Sequence, residues 1–316
     1  MPRTPAAAEI DRAASLLRAG GLVAFPTETV YGLGANALDA KAVGRIYSVK
    51  RRPPTSPLIV HVASIEMAQS LAAAWPESAV LLARKFWPGP LTIVLPKASA
   101  IPLLVTAGLA SVGLRMPAHA VALALIRAAG VPLAAPSANR FTELSPTTAD
   151  HVRRSLDGDV DFILDGGPCT VGIESTVLSL LEPQPVLLRP GGISRQDLES
   201  LIGPMATVSD PPAGSHPAPG MHARHYSPRT SLFVASNGEL PEEGQGIYLQ
   251  HTRPPARAQV QTITMPAAPA DYAAALYIEL HEADERNLDW IAVDLPPITP
   301  EWEAVQDRLR RAASKE

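Results

Sequence analysis

The chain has 316 residues, which is long for one average domain and predicts two, the larger with an extensive core. A net charge of -4 excludes a globally basic surface for unspecific nucleic-acid binding, so any anion site must be local. One cysteine, Cys169, excludes an internal disulfide framework and fits a reducing compartment. No apolar run of about 18 residues occurs, so we predict a soluble, cytoplasmic protein without membrane contact.

Helices and strands are predicted to alternate through the first part of the chain. A helix is expected over 7–19, and Gly20 and Gly21 end it before a strand over 22–25. The other helices are predicted over 39–47, 64–74, 77–86, 119–129, 147–156 and 194–201, and the other strands over 58–62, 91–95, 112–115, 133–135, 161–164, 176–180 and 186–188. This is an α/β pattern, and the sheet should be mixed because the last strands follow one another without helices.

A change of composition divides the chain. Residues 203–230 are rich in proline, glycine, serine and histidine, which is typical of a linker. Beyond it, strands over 232–235, 246–249, 259–264 and 290–293 and helices over 270–283 and 301–313 predict a small α/β domain. The predicted organisation is therefore a domain over 1–202, a linker over 203–230 and a second domain over 231–316.

A basic turn precedes one of the predicted strands. Lys50, Arg51 and Arg52 come just before an apolar run that ends in His61, and two prolines stiffen the connection. The segment is compatible with a phosphate site and equally with a basic surface turn. His61 closes the strand, where a polar ring needs a hydrogen-bond partner or a ligand.

The segment after the first strand carries both a glycine motif and hydroxyl groups. A formal G-x-G-x-x-A match begins at Gly32, but six residues separate it from the strand, which makes a dinucleotide site a poor interpretation. Thr27, Glu28 and Thr29 lie just past the strand, where open α/β sheets bind ligands. A threonine-rich turn with a solvated Glu28 is the simpler expectation.

Further polar residues follow other predicted strands. Arg115 at a strand end fits either a carboxylate ligand or an internal ion pair. Ser137 and Asn139 follow a strand without a G-x-S-x-G elbow, which favours binding over acyl transfer. His222 and His225 are three residues apart, but no convincing third ligand accompanies them, so we predict no metal site.

Taken together, the motifs closely resemble those of the threonylcarbamoyl-AMP synthase family, the YrdC-like enzymes, in its longer two-domain form. The resemblance rests on segments that occur in family order: Pro26 to Leu33, Lys50 to Pro53, Pro57 to His61, Phe86 to Thr92, Arg115 to Pro117, Pro136 to Asn139, Ser145 to Thr147, Glu174 to Val177, Arg189 to Gly191, Pro219 to Met221 and Arg224 to Tyr226. Two positions depart from the usual pattern, since Arg51 replaces a common glycine and Ser56 a common asparagine.

The resemblance implies a YrdC-like twisted mixed-sheet domain with flanking helices, followed by a linker and a small Rossmann-like domain. It also implies an enzyme that joins L-threonine, bicarbonate or CO2, and ATP into threonylcarbamoyl-adenylate and pyrophosphate. The product would feed threonylcarbamoyladenosine formation on ANN-decoding tRNAs through a downstream threonylcarbamoyl transferase complex. ATP is then a substrate, and Mg²⁺ is expected with it.

Site residues carry over from the resemblance by position in the motifs. The catalytic core would be Lys50, Arg52, Ser137 and Asn139. L-Threonine would be bound by Thr29, His61, Arg115, Ala135 and Ser175. ATP would be bound by Arg52, Ser56, Ser111, Ser137, Ser145, Arg189 and His225. Because His225 lies in the predicted linker, that linker should close over the site as a lid.

Two other functions compete with this interpretation. An RNA-binding module without catalysis is disfavoured because basic and aromatic residues are not interleaved, and no stable nucleic-acid binding is expected. A carbamoyl-adenylate activity of the kind found in hydrogenase maturation proteins is the nearest rival enzyme. Those proteins resemble the chain in one domain only, since they carry further domains with zinc-finger segments that this sequence lacks.

Overall fold

A computed structural model of the chain describes residues 4–207, 225–235, 238–257 and 259–313. Its first part packs helices against a ten-stranded mixed sheet. The helices are α1 (Ala7–Arg18), α2 (Ala40–Lys50), α3 (Ile65–Leu71), α4 (Glu77–Phe86), α5 (Ala120–Ala129), α6 (Ala149–Leu156) and α7 (Arg195–Ile202). The strands are β1 (Val23–Phe25), β2 (Gly32–Asn36), β3 (Ile59–His61), β4 (Leu91–Pro96), β5 (Ser111–Arg115), β6 (Leu133–Ala134), β7 (Phe162–Ile163), β8 (Thr176–Ser179), β9 (Val186–Arg189) and β10 (Ala206–Thr207).

The strand order of this sheet is β10-β9-β8-β4-β5-β3-β6-β2-β1-β7. Parallel pairs such as β3 with β5 and β4 with β8 alternate with antiparallel pairs such as β4 with β5 and β8 with β9. The mixed sheet expected from the sequence is therefore confirmed. In the centre of the sheet, β3 to β5 are buried almost throughout, because helices and loops cover both faces.

Two strands of this sheet were not predicted. β2 contains Gly32 and Gly34, the two glycines of the formal G-x-G-x-x-A match, where no strand was predicted. The ring of Phe25 lies against Gly34, where an added Cβ would be 2.8 Å from a ring carbon. β10 lies inside the segment predicted as a linker and pairs in parallel with β9. The sheet thus continues past residue 202, and residues 208–224 of the predicted linker lie outside the described residues.

The second part of the chain forms a separate four-stranded parallel sheet. Its elements are β11 (Ser231–Ala235), β12 (Gly246–Gln250), β13 (Gln261–Thr264), α8 (Pro269–Glu285), β14 (Trp290–Asp294), a 3₁₀ turn (Pro300–Trp302) and α9 (Glu303–Ala313). The strand order is β11-β14-β12-β13, with every pair parallel. This confirms the small α/β domain. No helix in the described parts of the chain is long and apolar enough to cross a membrane.

The two parts of the chain share a buried hydrophobic cluster. Val30, Leu144 and Ile173 from the first part belong to the same buried cluster as the apolar faces of α8 and α9. Tyr226, which follows the undescribed stretch, is buried in this cluster as well. The helices of the second domain therefore pack directly against loops of the first.

Gly172 marks the closest approach between the two parts. Its φ is +77°, and an added Cβ would lie 2.4 Å from the carbonyl oxygen of Ala273 and 2.5 Å from the Cα of Ala274, both in α8. We expect Gly172→Ala to push α8 away and to lower the free energy of unfolding by about 3 kcal/mol. Gly158→Ala, at φ +80° with open space around it, is the matched control and should cost about 1 kcal/mol. Urea denaturation of both variants measures the difference, and equal losses would contradict the close contact.

Two stacked histidines also join the parts. The rings of His151 in α6 and His281 in α8 lie 3.8 Å apart at an angle of 26°. Burial, with a smaller contribution from the charge of Arg154, lowers the pKa of His151 to about 3 and that of His281 to about 4. Both values lie below the ordinary value of 6.5, so the unfolded chain binds more protons as the pH falls from there.

This predicts that acid weakens the folded state through the histidine stack. The free energy of unfolding should fall between pH 7.5 and pH 5, and the fall should be smaller by about 1 kcal/mol in His151→Phe. Phenylalanine keeps a ring against His281 but cannot be protonated. Urea denaturation at the two pH values measures both losses, and an equal loss in the two proteins would rule out a contribution from His151.

Candidate functional site

A cleft opens where several strands of the large sheet end. His61 is the last residue of β3 and Arg115 the last of β5, and the two are paired in register on parallel strands. Thr29 lies in the loop after β1, Ser137 follows β6, and Arg189 ends β9. The cleft contains about 540 Å³ of empty space, part of it open to solvent. β3, β5 and β9 run in one direction and β1 and β6 in the other, so segments from both edges of the sheet meet at this cleft. Because charged and hydroxyl side chains converge there, this is the candidate site.

The predicted site residues fall into two groups relative to this cleft. Those that line it are Thr29, Arg52, His61, Arg115, Ala135, Ser137, Ser175, Arg189 and His225. Those outside its lining are Lys50, Ser56, Ser111, Asn139 and Ser145, all of them buried. Lys50, Ser56 and Ser145 lie behind the walls and contact residues of the lining, as described below, whereas Ser111 lies beside a separate small cavity.

The basic turn contributes one cation to the cleft. Arg52 is 6% exposed, and its guanidinium donates to the Ser56 hydroxyl at 2.5 Å and to the Pro57 carbonyl at 3.1 Å. It also lies over the ring of Phe141, 5.6 Å from the centroid. Burial lowers the pKa of Arg52 to about 10, so the group stays charged at neutral pH. Ser56 thus fixes the direction of a cleft cation without lining the cleft itself.

Lys50 is buried behind the cleft. Its ammonium donates to the carbonyl oxygens of Ser137, at 2.6 Å, and of Asn139. Burial lowers its pKa well below the usual value, and the nearby Arg52 adds to this. The Asn139 side chain donates to the carbonyls of Arg140 and Glu143 at 2.9 and 2.8 Å. Lys50 and Asn139 therefore fix the loop that presents Ser137 to the cleft.

Arg115 forms the internal ion pair that was one of the two alternatives left open by the sequence, and it also faces the cleft. Its guanidinium lies 2.8 Å from a carboxylate oxygen of Glu28 and also lines the cleft. Glu28 is 6% exposed, so the expectation of a solvated residue was wrong. The loop after β1 turns inward, because the Thr27 hydroxyl hydrogen bonds within it, at 2.8 Å to the Thr29 hydroxyl and at 2.6 Å to the Val30 carbonyl.

His61 is a neutral group in this setting. Burial, together with the nearby charge of Arg115, lowers its pKa to about 3. Its ring packs edge-on against Phe25, with centroids 6.1 Å apart, and Nδ1 has no hydrogen-bond partner among the described residues. A neutral imidazole facing a cleft can exchange a hydrogen bond with an amine or hydroxyl, but it adds no positive charge.

Arg189 and Ser175 form the opposite wall. The Arg189 guanidinium donates to the Ser175 carbonyl at 2.9 Å and to its hydroxyl at 3.2 Å. The Ser175 hydroxyl also shares a hydrogen bond of 2.8 Å with Thr92. Tyr226, whose hydroxyl lies 3.5 Å from Arg189, packs against the ring of His225 at 4.1 Å. His225 and Tyr226 both line the cleft, so the end of the predicted linker lies at this wall.

Sequence reasoning gave no role to Glu174 and Tyr226, two polar residues that line the cleft. Glu174 belongs to the motif Glu174 to Val177, and the available signal was a charged residue just before a predicted strand. It is 7% exposed and binds Arg308 and Tyr277 of the second domain. Tyr226 was likewise only part of a motif, and its φ of 62° is not visible in a sequence.

Neither a thiol nor a metal explains the cleft. Cys169 is buried, and burial raises the pKa of its thiol, which leaves it unreactive. Within the described ranges, no three histidine, cysteine or acidic side chains are grouped to hold a metal ion. His222 lies outside the described residues.

Two protein-family models match the chain, one on each part. The Sua5–YciO–YrdC model, described as Telomere recombination, matches residues 15–191. The model described as Threonylcarbamoyl-AMP synthase, C-terminal domain, matches residues 193–314. Together they span both sheets and account for the two-domain form.

Curated and solved relatives agree with these matches. The threonylcarbamoyl-AMP synthase of Bacillus subtilis (strain 168) is 44% identical over 96% of this chain and 93% of its own length. That of Pyrococcus abyssi (strain GE5 / Orsay) is 51% identical over 72% of this chain and 67% of its own. The crystal structure of P. abyssi Sua5 complexed with L-threonine superposes with a TM-score of 0.92 at 39% identity, covering 98% of this chain and 96% of that one. The chain therefore belongs to the threonylcarbamoyl-AMP synthase family.

Proposed function

We propose that this chain joins L-threonine, CO2 or bicarbonate, and ATP into threonylcarbamoyl-adenylate with release of pyrophosphate. The observation that carries the proposal is the convergence of Arg52, Arg115 and Arg189 on one cleft. All three are buried, at 6%, 4% and 3% exposure. Threonine, its carbamate, ATP and pyrophosphate all carry negative charge, which fixed cations in a buried site stabilise strongly.

The reaction has two steps. The threonine amine adds to CO2 and loses a proton, which gives a carbamate; with bicarbonate instead of CO2, that proton leaves as part of the water that is released. A carbamate oxygen then attacks the α-phosphorus of ATP, and the bond from that phosphorus to the bridging oxygen of pyrophosphate breaks. Charge builds up on the leaving pyrophosphate, so positioning and fixed positive charge supply most of the catalysis.

We assign the threonine end of the cleft to residues near the ends of β3 and β5. Arg115 would pair with the threonine carboxylate, and Glu28 holds its guanidinium in place. His61, neutral at physiological pH, would bond the amine or hydroxyl without repelling the amine. The remaining proposed threonine contacts are Thr29, Ala135 and Ser175. The structure of P. abyssi Sua5 in complex with L-threonine supports L-threonine as the ligand of this cleft.

The ATP end of the cleft would lie along Arg52, Ser137, Arg189 and His225. Ser56 and Ser145 would act through neighbours, since Ser56 holds Arg52 and Ser145 donates to Glu174 at 2.5 Å. For Ser111, which lies beside a separate small cavity, direct ATP contact stays a prediction. Lys50 and Asn139 would serve catalysis by fixing Ser137.

Mg²⁺ does not fit a protein site here. Among the described residues, Glu174 is the one carboxylate that lines the cleft, and its oxygens already accept from Ser145, Tyr277 and Arg308. Any Mg²⁺ would therefore come with the ATP phosphates.

The wider roles stay proposals of the same kind. The enzyme would be a nucleotidyltransferase in the cytoplasm that passes its adenylate to a downstream threonylcarbamoyl transferase complex for tRNA modification. The lid role of the linker rests on His225 and Tyr226, which line the cleft just after the undescribed residues. The domain limit at 230 stays a proposal, whereas the sheet of the first domain extends past the limit predicted at 202, to β10 (Ala206–Thr207).

Pyrophosphate release from ATP tests the function. With bicarbonate present, release should depend on L-threonine, and the product should be threonylcarbamoyl-adenylate by mass spectrometry. Release that is independent of threonine would favour the carbamoyl-adenylate activity. Absence of release, with tight binding of RNA instead, would favour the RNA-binding module.

A further inference from the structure

The cleft carboxylate Glu174 is held by side chains of the second domain. One of its oxygens accepts from Nε of Arg308 at 2.7 Å and from the hydroxyl of Tyr277 at 3.2 Å. Its other oxygen accepts from the Ser145 hydroxyl at 2.5 Å. Burial alone would raise the pKa of Glu174, but the guanidinium groups of Arg308 and Arg189 outweigh it and keep the pKa below the usual value. The carboxylate is therefore charged and fully engaged.

Arg308 contacts three separate segments of the cleft wall. Besides Glu174, its guanidinium donates to the carbonyl of Pro190 at 3.0 Å and lies over the ring of Tyr226, 5.1 Å from the centroid. Asp307 takes a further bond at 2.6 Å. The Arg308 side chain is 0% exposed, so its guanidinium is surrounded by these protein groups and not by water.

The contacted residues are direct neighbours of cleft-lining groups. Glu174 precedes Ser175, Pro190 follows Arg189, and Tyr226 follows His225. Arg189 in turn donates to the Ser175 carbonyl at 2.9 Å and to the Tyr226 hydroxyl at 3.5 Å, so the three segments form one bonded unit. Because Arg308 does not line the cleft, it acts only through these segments.

We propose that Arg308 is a positioning residue for the adenylation site, through which α9 of the second domain sets the spacing of the Ser175, Arg189 and His225 segments. The inference rests on the proposed function, and it gives the second domain a direct part in substrate binding. Two of the three segments carry proposed ATP contacts, so loss of Arg308 should weaken ATP binding more than threonine binding. A role in stability alone would leave the KM values of the folded enzyme unchanged.

Steady-state kinetics of the full chain test the proposal. Arg308→Met should raise the KM for ATP by about tenfold or more, with a smaller rise for threonine and a kcat within about threefold. Arg310→Met, an exposed residue of the same helix, is the matched control and should leave both KM values unchanged. An unchanged KM for ATP in Arg308→Met would overturn the proposal.

Further variants keep the test decisive if Arg308→Met does not fold. Arg308→Lys keeps the charge beside Glu174 but not the fork that also reaches Pro190, and Tyr277→Phe removes one bond to Glu174 without burying a lone charge. Each should raise the KM for ATP by a smaller factor, and unchanged values in both would contradict the proposal.

Amide hydrogen exchange separates this proposal from the proposed function. The amide of Thr176 donates to Pro90, and that of Ile193 to the Thr176 hydroxyl. Both should exchange faster in whichever Arg308 variant folds than in Arg310→Met, even if the natural chain releases no pyrophosphate. If neither amide exchanges faster, Arg308 does not position these segments, whatever reaction the chain catalyses.

Discussion

Arg52→Ala is expected to lower kcat/KM for threonine-dependent pyrophosphate release by about a thousandfold. The guanidinium is held on the cleft wall by the Ser56 hydroxyl, the Pro57 carbonyl and the face of Phe141 before any substrate arrives. A cation fixed in this way does not have to move when charge builds up on the leaving pyrophosphate, so no free energy is lost in reorganising the site. Steady-state rates with saturating bicarbonate measure the loss, and circular dichroism checks that the variant is folded.

The neighbouring Arg51 supplies the matched control. It ends α2 with a φ of 53°, and this left-handed turn points its side chain to solvent while Lys50 and Arg52 are buried. Arg51→Ala should therefore change kcat/KM by less than about threefold, because an exposed charge is screened by solvent. Comparable losses at Arg51 and Arg52 would instead mean that the turn acts as a general electrostatic patch.

The turn also shows how far local reasoning carries. The sequence predicted a helix capped by Asp39, and its carboxylate does accept the amides of Lys41 and Ala42. The predicted helix ended at Tyr47, whereas α2 runs to Lys50. If residues 50–52 were extended, their side chains would alternate in direction, which also predicts that Arg51 is solvated when Lys50 and Arg52 face the site. The exposure was correct, but the helix end produces it, and helix ends depend on packing that no short window contains.

Strand ends made much of the cleft predictable, whereas contacts between distant segments did not. His61 and Arg115 stand at the ends of apolar runs, and such runs are visible in a sequence. The pairing of Glu174 with Arg308 joins residues 134 positions apart, and Arg308 lies on a helix with four other charged residues, from which a sequence pattern does not distinguish it. For the same reason the sequence could not show that Ser56 and Lys50 act from behind the walls.

Arg115 is expected to serve both threonine binding and folding, and the two roles can be separated. Arg115→Met removes the proposed partner of the threonine carboxylate, which should raise the KM for threonine by about a hundredfold and leave the KM for ATP nearly unchanged. It also leaves Glu28, 6% exposed, as a buried charge without its ion-pair partner. That should lower the free energy of unfolding by about 3 kcal/mol or more, measured by urea denaturation.

The double variant Arg115→Met with Glu28→Gln decides between the two roles. Glutamine removes the unpaired charge, so most of the lost stability should return. Threonine binding should not return, because no cation faces the carboxylate in the double variant. Recovery of the KM for threonine along with the stability would show that Arg115 matters only as the partner of Glu28. Recovery of stability alone would leave Arg115 with the direct contact proposed for it, since the fold would then be intact while the cleft still fails to hold threonine.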